Sequence, residues 1–170
     1  MAHEILATAA QERALASIDP RSIYGGDRMR ETKFFMDDAG NVLDKTQGGC
    51  YGGDRCTISK SEIPDGSSLV GHTHAPADLV RSTRIRGQSE IISNLSRDIP
   101  GPGDAMPLRL GRGYPSAVIT PGGYRYIIDS RGLRYIGGGN PEFGSFVQQS
   151  WRSGMSDAQI RQIAKDWANQ

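Results

Sequence analysis

The chain has 170 residues, of which 36% are hydrophobic, and its 20 basic residues nearly balance 19 acidic ones, which leaves a formal net charge of +1. This length suits one domain with its own core, and 22 glycines with 9 prolines favour a fold rich in turns and long loops. The charge balance provides no general attraction to nucleic acids or to anionic membranes, so we expect neither as a partner.

The N-terminal part of the chain predicts a helix followed by a hairpin. Residues 3–18 carry apolar side chains near helical spacing without an internal glycine or proline, and the DPRS segment ends the helix. Residues 31–44, ETKFFMDDAGNVLD, combine an apolar run, a DDAGN turn and a second short apolar run. This arrangement is typical of two antiparallel strands joined by a tight turn.

The middle of the chain is polar and rich in glycine. The segment SSLVGHTH, residues 67–74, predicts a strand. A long polar segment follows at residues 75–100, and it has helical character only around SEIISNL.

The C-terminal part predicts a second hairpin and a final helix. Residues 115–129, PSAVITPGGYRYIID, hold two apolar runs joined at a Pro-Gly-Gly turn. The glycine-rich segment GGGNPEFGS, residues 137–145, predicts a linker. Ser156 and Gln159 have the spacing of a capping box, and apolar residues follow at helical spacing: Ile160, Ile163, Ala164 and Trp167.

The sequence has no pattern that indicates a membrane segment or a signal peptide. No apolar stretch approaches the roughly 20 residues of a membrane-spanning helix, and the first 18 residues are too polar for a signal peptide. We therefore expect no membrane segment and no signal peptide in this chain. Cys50 and Cys56 have no common zinc-ligand spacing, and their pairing depends on the redox compartment, which stays open.

Two of the three histidines, His72 and His74, lie one residue apart at the end of the strand predicted in LVGHTHAPAD. Successive side chains on a strand point to opposite faces, so both imidazoles project to the same side. Imidazole is a common zinc ligand, and catalytic zinc sites have three protein ligands. The pair supplies only two ligands, so two histidines without a metal remain the alternative at this point.

Five short motifs in a fixed order resemble the JAB/JAMM metalloprotease core: ALASIDPRSI, ETKFF, VGHTHA, GPGDA and YPSAVITPGGYRYIID. They are more similar still to the JAB-like domains at the C-termini of Rhs-type bacterial polymorphic toxins. The resemblance covers about residues 13–129. It implies a single α/β domain of JAB or cytidine-deaminase-like type, with a mixed curved sheet, flanking helices and long loops. Residues 1–136 would form the catalytic domain, and residues 137–170 a linker and a C-terminal helix packed on it or appended to it.

The resemblance also implies a catalytic zinc site. His72, His74 and Asp104 would be the metal ligands, and Glu31 would take a proton from the metal-bound water and pass it to the leaving amine. Such a metal lowers the pKa of its bound water toward about 7 and polarises the carbonyl, while the carboxylate handles the proton. Three rival carboxylates exist for these roles: Glu62 for Glu31, and Asp78 or Asp98 for Asp104.

The chain departs from the family pattern at two places. The serine that helps to stabilise the oxyanion in the family is replaced by Gly101, and losing one such donor costs about 10²-fold or more in rate. The insert between His74 and Asp104 is long and carries four arginines: Arg81, Arg84, Arg86 and Arg97. We interpret this insert as a solvated loop, with a lid or substrate collar as the alternative.

The function implied by the resemblance is a zinc-dependent peptidase, isopeptidase or amidase. Such a module would be a secreted toxin or effector, delivered into a target cell as part of a larger protein. Its partners would be an amide substrate in a protein, peptide or peptidoglycan, and a cognate immunity protein that fills the cleft.

Two other classes of function stay open. One is a toxin of different chemistry, a nuclease or a hydrolase in which His72 or His74 serves as base to Cys56. The other is a metal-free interaction module on a JAMM-like scaffold, which the glycine at position 101 favours. Metal content separates the metal-free module from the zinc enzyme. Loss of activity on adding a metal chelator would indicate the zinc enzyme, whereas loss of activity on alkylating the thiols would indicate the cysteine-dependent hydrolase.

Overall fold

Six strands form one mixed sheet in the computed structural model of the chain, which describes residues 3–24, 31–47, 58–74 and 88–170. In chain order the strands are β1 (Thr32–Met36), β2 (Val42–Gln47), β3 (Leu69–Thr73), β4 (Ser116–Ile119), β5 (Arg125–Asp129) and β6 (Gly132–Gly137). Their order in the sheet is β2-β1-β3-β4-β5-β6. Within this sheet β3 and β4 pair in parallel, and the other neighbours are antiparallel.

Among the described residues, five α-helices flank this sheet: α1 (Ala9–Ser17), α2 (Pro20–Tyr24), α3 (Gln88–Arg97), α4 (Pro141–Ser150) and α5 (Asp157–Ala168). Short 3-10 helices at Lys60–Glu62 and Pro102–Arg109 lie in the connections before β3 and before β4. A mixed, open sheet with flanking helices confirms the predicted α/β class. Within the part of the chain that the structure describes, no helix combines the length and the apolarity needed to cross a membrane.

The core has a layer on each face of the sheet because alternate strand residues point to opposite sides. On one face, Phe34 and Met36 of β1 pack with Leu15 of α1. On the other face, Tyr126 and Ile128 of β5 pack with helices α3, α4 and α5, through residues that are all buried or nearly so: Ile92, Phe143, Val147, Ile160 and Ile163. The middle of the sheet is therefore covered on both sides.

Both predicted hairpins are confirmed, as are the strand at SSLVGHTH and the helix around SEIISNL. The first hairpin turns where the Asp37 carboxylate accepts hydrogen bonds from the backbone N–H groups of Ala39 and Asn41. The second turns where the N–H of Gly123, at φ +86°, donates to the carbonyl of Thr120.

The first helix is shorter than the prediction for residues 3–18. It begins at Ala9 because Thr8 caps it, with reciprocal bonds between Thr8 and Gln11. The preceding residues lie along the end of β5, where the N–H of Ala7 donates to the Asp129 carboxylate at 3.1 Å. This contact joins residues far apart in sequence, so a local pattern does not predict it.

The C-terminal region differs from the prediction at residues 137–145, because the predicted linker holds the start of a helix. Asn140 caps α4 by accepting from the N–H of Glu142, and Pro141 occupies the first helical turn. Helix α5 begins after Ser156 with the predicted capping box to Gln159. Both helices share one core cluster with β5. The division of the chain at residue 136 stays a prediction.

Candidate metal centre

The two histidines lie at the C-terminal end of β3, which is a central strand between β1 and β4. His72 is opposite Lys33 of β1 and opposite Val118 of β4. His74 follows the strand, and its N–H still donates to the carbonyl of Ile119 at 2.9 Å. Their ring centroids are 5.3 Å apart, so both imidazoles lie on the same side of the sheet, as the spacing predicts.

Asp104 comes from the 3-10 helix Pro102–Arg109, which begins directly after Gly101. The Gly101 N–H donates to Asp104 Oδ2 at 2.7 Å, and the Ser116 hydroxyl donates to the Asp104 carbonyl. The first bond orients the carboxylate, and the second ties the 3-10 helix to the start of β4. The GPGDA motif therefore presents Asp104 to the sheet from a separate element.

These three side chains meet in one cluster. Nε2 of His72 is 2.9 Å from Asp104 Oδ1, and Nε2 of His74 is 2.8 Å from Asp104 Oδ2. Nδ1 of His74 is 3.0 Å from the carbonyl oxygen of Arg97. Because a carbonyl only accepts, Nδ1 of His74 carries a hydrogen, and Nε2 is the atom that faces the cluster.

The cluster is strongly coupled electrostatically. Burial opposes a charged imidazole, but the Asp104 carboxylate overcomes it and raises the pKa of His74 to about 9. Burial likewise opposes a charged carboxylate, yet His72 and His74 hold the pKa of Asp104 well below its usual range. A metal ion that binds Nε2 of His74 would have to displace the proton that the raised pKa favours there.

The donor set could hold a metal ion. One ligand atom from each of His72, His74 and Asp104 can be chosen so that all lie within 4.8 Å of one another. Ligand atoms at 2.0–2.2 Å from a tetrahedral zinc are separated by about 3.4 Å, so small side-chain shifts would accommodate it. The residues described therefore hold a group that could bind a metal ion.

Glu31 stands just before β1 and lines the same cleft as His74. Burial raises the pKa of its carboxyl group, against the opposing influence of His72 and His74. Across the described residues no hydrogen bond engages this carboxylate. A half-buried carboxylate with a raised pKa, beside a cluster that could hold a metal ion, has the properties of a proton acceptor.

The rival carboxylates have other partners or lie outside the described residues. Glu62 pairs with Lys33 Nζ at 3.2 Å and accepts from the Ser59 N–H. Asp98 accepts from the Gly122 N–H at 2.7 Å and from the Thr120 side chain, so it holds the β4–β5 turn and is not simply solvated. Asp78, both cysteines and three arginines of the insert, Arg81, Arg84 and Arg86, lie outside the described residues.

The cleft beside the cluster has a volume of about 360 Å³. Helices α3 and α5 supply much of its wall, through Ser96, Arg97, Asp157, Ile160 and Arg161. The participation of α5 was not predicted, because its apolar spacing indicates only that one face is buried. Arg97 was known only as part of the insert, and its carbonyl contact with His74 has no signal in the sequence.

A comparison of the chain with known protein families, with curated proteins and with solved structures found no match. The geometry of the site and the motifs in the sequence therefore carry the functional argument.

Proposed function

We propose that the protein is a zinc-dependent hydrolase of amide bonds, a peptidase, isopeptidase or amidase. The observation that carries this proposal is the convergence of His72, His74 and Asp104 from two elements, with Glu31 beside them in one cleft. Two imidazoles and a carboxylate form a ligand set that zinc hydrolases use. When bound, zinc lowers the pKa of a coordinated water toward about 7 and polarises the substrate carbonyl.

The chain's own residues would handle orientation and proton transfer. The Arg97 carbonyl fixes the His74 ring, and the Gly101 N–H fixes the Asp104 carboxylate. Glu31 would accept a proton at a carboxylate oxygen as water adds to the amide carbon. It would then release that proton to the nitrogen as the C–N bond breaks. Its raised pKa favours holding the proton between these two steps.

The resemblance to the JAB-like toxin domains supports a further part of this proposal. The protein would act as a toxin or effector module that is secreted and delivered to a target cell within a larger assembly. Its substrate would be an amide of a protein, a peptide or peptidoglycan. An immunity protein that covers the cleft would protect the producing cell.

The first test is the metal content of the purified protein. We expect about one zinc per chain in the wild type and little in His72→Ala, because removal of one of three protein ligands leaves too few to hold the ion. His3→Ala is the matched control, since His3 is exposed and far from the cluster in sequence, and it should keep its zinc. Elemental analysis beside circular dichroism separates loss of metal from loss of fold. Absence of metal from the folded wild type would contradict the proposal and favour the metal-free module.

A second test restores the serine of the family pattern. We expect Gly101→Ser to keep fold and zinc and to raise the rate of amide hydrolysis about tenfold or more, since an oxyanion donor is worth about 10²-fold. Gly101 has φ −84°, which serine adopts freely, and within the described part of the chain an added Cβ would meet nothing closer than Asp104 Oδ2 at 3.9 Å.

Gly103→Ser is the control for this gain, because an added Cβ at Gly103 has no neighbour within 4 Å among the described residues. The rates of both variants are measured on one fluorogenic peptide mixture. An equal gain in both variants, or none in folded, zinc-loaded Gly101→Ser, would show that position 101 does not face the reacting carbonyl.

A further inference from the structure

Two arginines from two different helices line the cleft beside the cluster of His72, His74 and Asp104. Arg97 is the last residue of α3, and Arg161 lies on α5. Both border the same cavity of about 360 Å³, together with Glu31 and His74. The guanidinium of Arg97 is close enough to Glu31 to act on its pKa. One arginine therefore comes from the α3 wall of the cleft and the other from its α5 wall.

Neither guanidinium forms a direct ion pair with a carboxylate among the described residues. Arg161 donates a long hydrogen bond of 3.4 Å to the Ser93 hydroxyl, and Arg97 contacts the cluster through its backbone carbonyl. Other arginines of the same chain are paired: Arg131 and Arg134 both contact Asp129 and Glu12. Two partly buried arginines outside such pairs, in one cleft, form a surface to which an anion binds favourably.

We propose that Arg97 and Arg161 form a subsite for a carboxylate of the substrate, so that the preferred substrates carry a carboxylate close to the scissile amide. This inference rests on the proposed amide hydrolysis, because only that reaction gives the bound molecule a scissile amide. A guanidinium presents its donors in a planar fork that matches the two oxygens of a carboxylate. The carboxylate belongs either to a peptide C-terminus or to an acidic side chain.

A nucleic acid is a poorer fit to this cleft than a small carboxylate. Asp157 and Glu31 line it as well, so a polyanion would meet two carboxylates beside the two arginines. Asp157 is exposed in the first turn of α5, where a negative charge is favourable without a cationic partner. A single carboxylate needs only the two guanidinium groups, whereas a chain of phosphates is long enough to meet these carboxylates as well.

The test is isothermal titration calorimetry on the full chain as purified, with metal content and peptide hydrolysis measured on the same sample. The probes are N-acetyl-Ala-Ala, which has a free C-terminal carboxylate, and N-acetyl-Ala-Glu-amide, which has a side-chain carboxylate. Their neutral counterparts are N-acetyl-Ala-Ala-amide and N-acetyl-Ala-Gln-amide. We expect at least one carboxylate probe to bind about tenfold tighter than its counterpart, as for a hydrogen bond to a charged group. The probe with the larger preference identifies the source of the carboxylate.

Arg97→Gln and Arg161→Gln should each reduce that preference to about threefold or less, since each removes one of two cations. Arg109→Gln is the matched control, because Arg109 is exposed on the 3-10 helix and does not line the cleft, and it should keep the full preference. Equal binding of charged and neutral probes, or an unchanged preference in Arg161→Gln, would overturn the subsite. Tighter binding of inorganic phosphate than of either carboxylate probe would overturn it as well.

The same samples distinguish failure of the subsite from failure of the proposed function. A carboxylate preference in a protein without metal and without hydrolysis would leave the subsite and remove the amidase proposal. Zinc-dependent hydrolysis without any carboxylate preference would support the amidase proposal and contradict the subsite.

Discussion

Replacing Asp104 by asparagine is expected to weaken zinc affinity by at least about tenfold, because outer-shell substitutions alone cost 10–100-fold and this residue would bind the ion directly. The amide keeps the shape of the carboxylate but removes its negative charge. That charge holds the cluster together, since Asp104 contacts the Nε2 atoms of both His72 and His74. Competition with a fluorescent zinc chelator measures the affinity, and circular dichroism verifies the fold.

Asp98→Asn and Asp78→Asn are the controls, and both should bind zinc with nearly wild-type affinity. The Asp98 carboxylate is committed to the β4–β5 turn through the Gly122 N–H. The amide oxygen of the substituted side chain can still accept that bond, so a modest loss of stability is the expected effect. Asp78 lies outside the described residues and serves as the control from the insert. If Asp104→Asn kept the wild-type affinity for zinc and Asp78→Asn lost it, the third ligand would be Asp78, in the insert.

The pairing of His72 and His74 could be predicted from the sequence because it depends only on the period of a strand. Any strand places residues two apart on the same face, whatever the rest of the fold does. The hairpins were predictable for a similar reason, since the Asp37 turn and the Gly123 turn use short-range bonds. These features need no knowledge of which strands become neighbours.

The third member of the cluster needed more than local pattern. Asp104 is 30 residues from His74, and no spacing rule connects them. The order of motifs in the resemblance and the Gly-Pro-Gly turn before it pointed to Asp104 rather than to Asp98, which lies only six residues earlier. The contact itself depends on the packing of the 3-10 helix against β4, through the Ser116 hydroxyl. Neither segment predicts this packing from its own sequence.

The part of the cleft formed by α5 was missed for the same physical reason. The capping box and the apolar spacing predict that α5 forms and that it buries one face. They do not predict its docking on α3, which brings Arg161 beside Ser93. The prediction of a linker also missed a helix, because α4 begins inside that segment. This helix packs in the same core cluster as β5 and α5.

Replacing Glu31 by glutamine is expected to lower the rate of amide hydrolysis by about 10²–10⁴-fold while fold and zinc content stay unchanged. Glutamine has nearly the same shape but has no basic oxygen to accept a proton. The raised pKa of Glu31 and the absence of any hydrogen bond to it in the described residues both suit a group that exchanges protons during the reaction. Rates on a fluorogenic peptide mixture and survival of cells that express the protein measure the effect.

Glu62→Gln distinguishes this role from a general effect of losing an acidic side chain near β1. Glu62 holds the buried ammonium of Lys33 at 3.2 Å, and Lys33 lies opposite His72 on the sheet. Removing that charge should lower the melting temperature, because a buried cation loses a counterion, but kcat of the folded protein should change less than about tenfold. Full activity in Glu31→Gln together with loss in folded, zinc-loaded Glu62→Gln would assign the proton transfer to Glu62. In that case the position of Glu31 in the cleft would have no part in the chemistry.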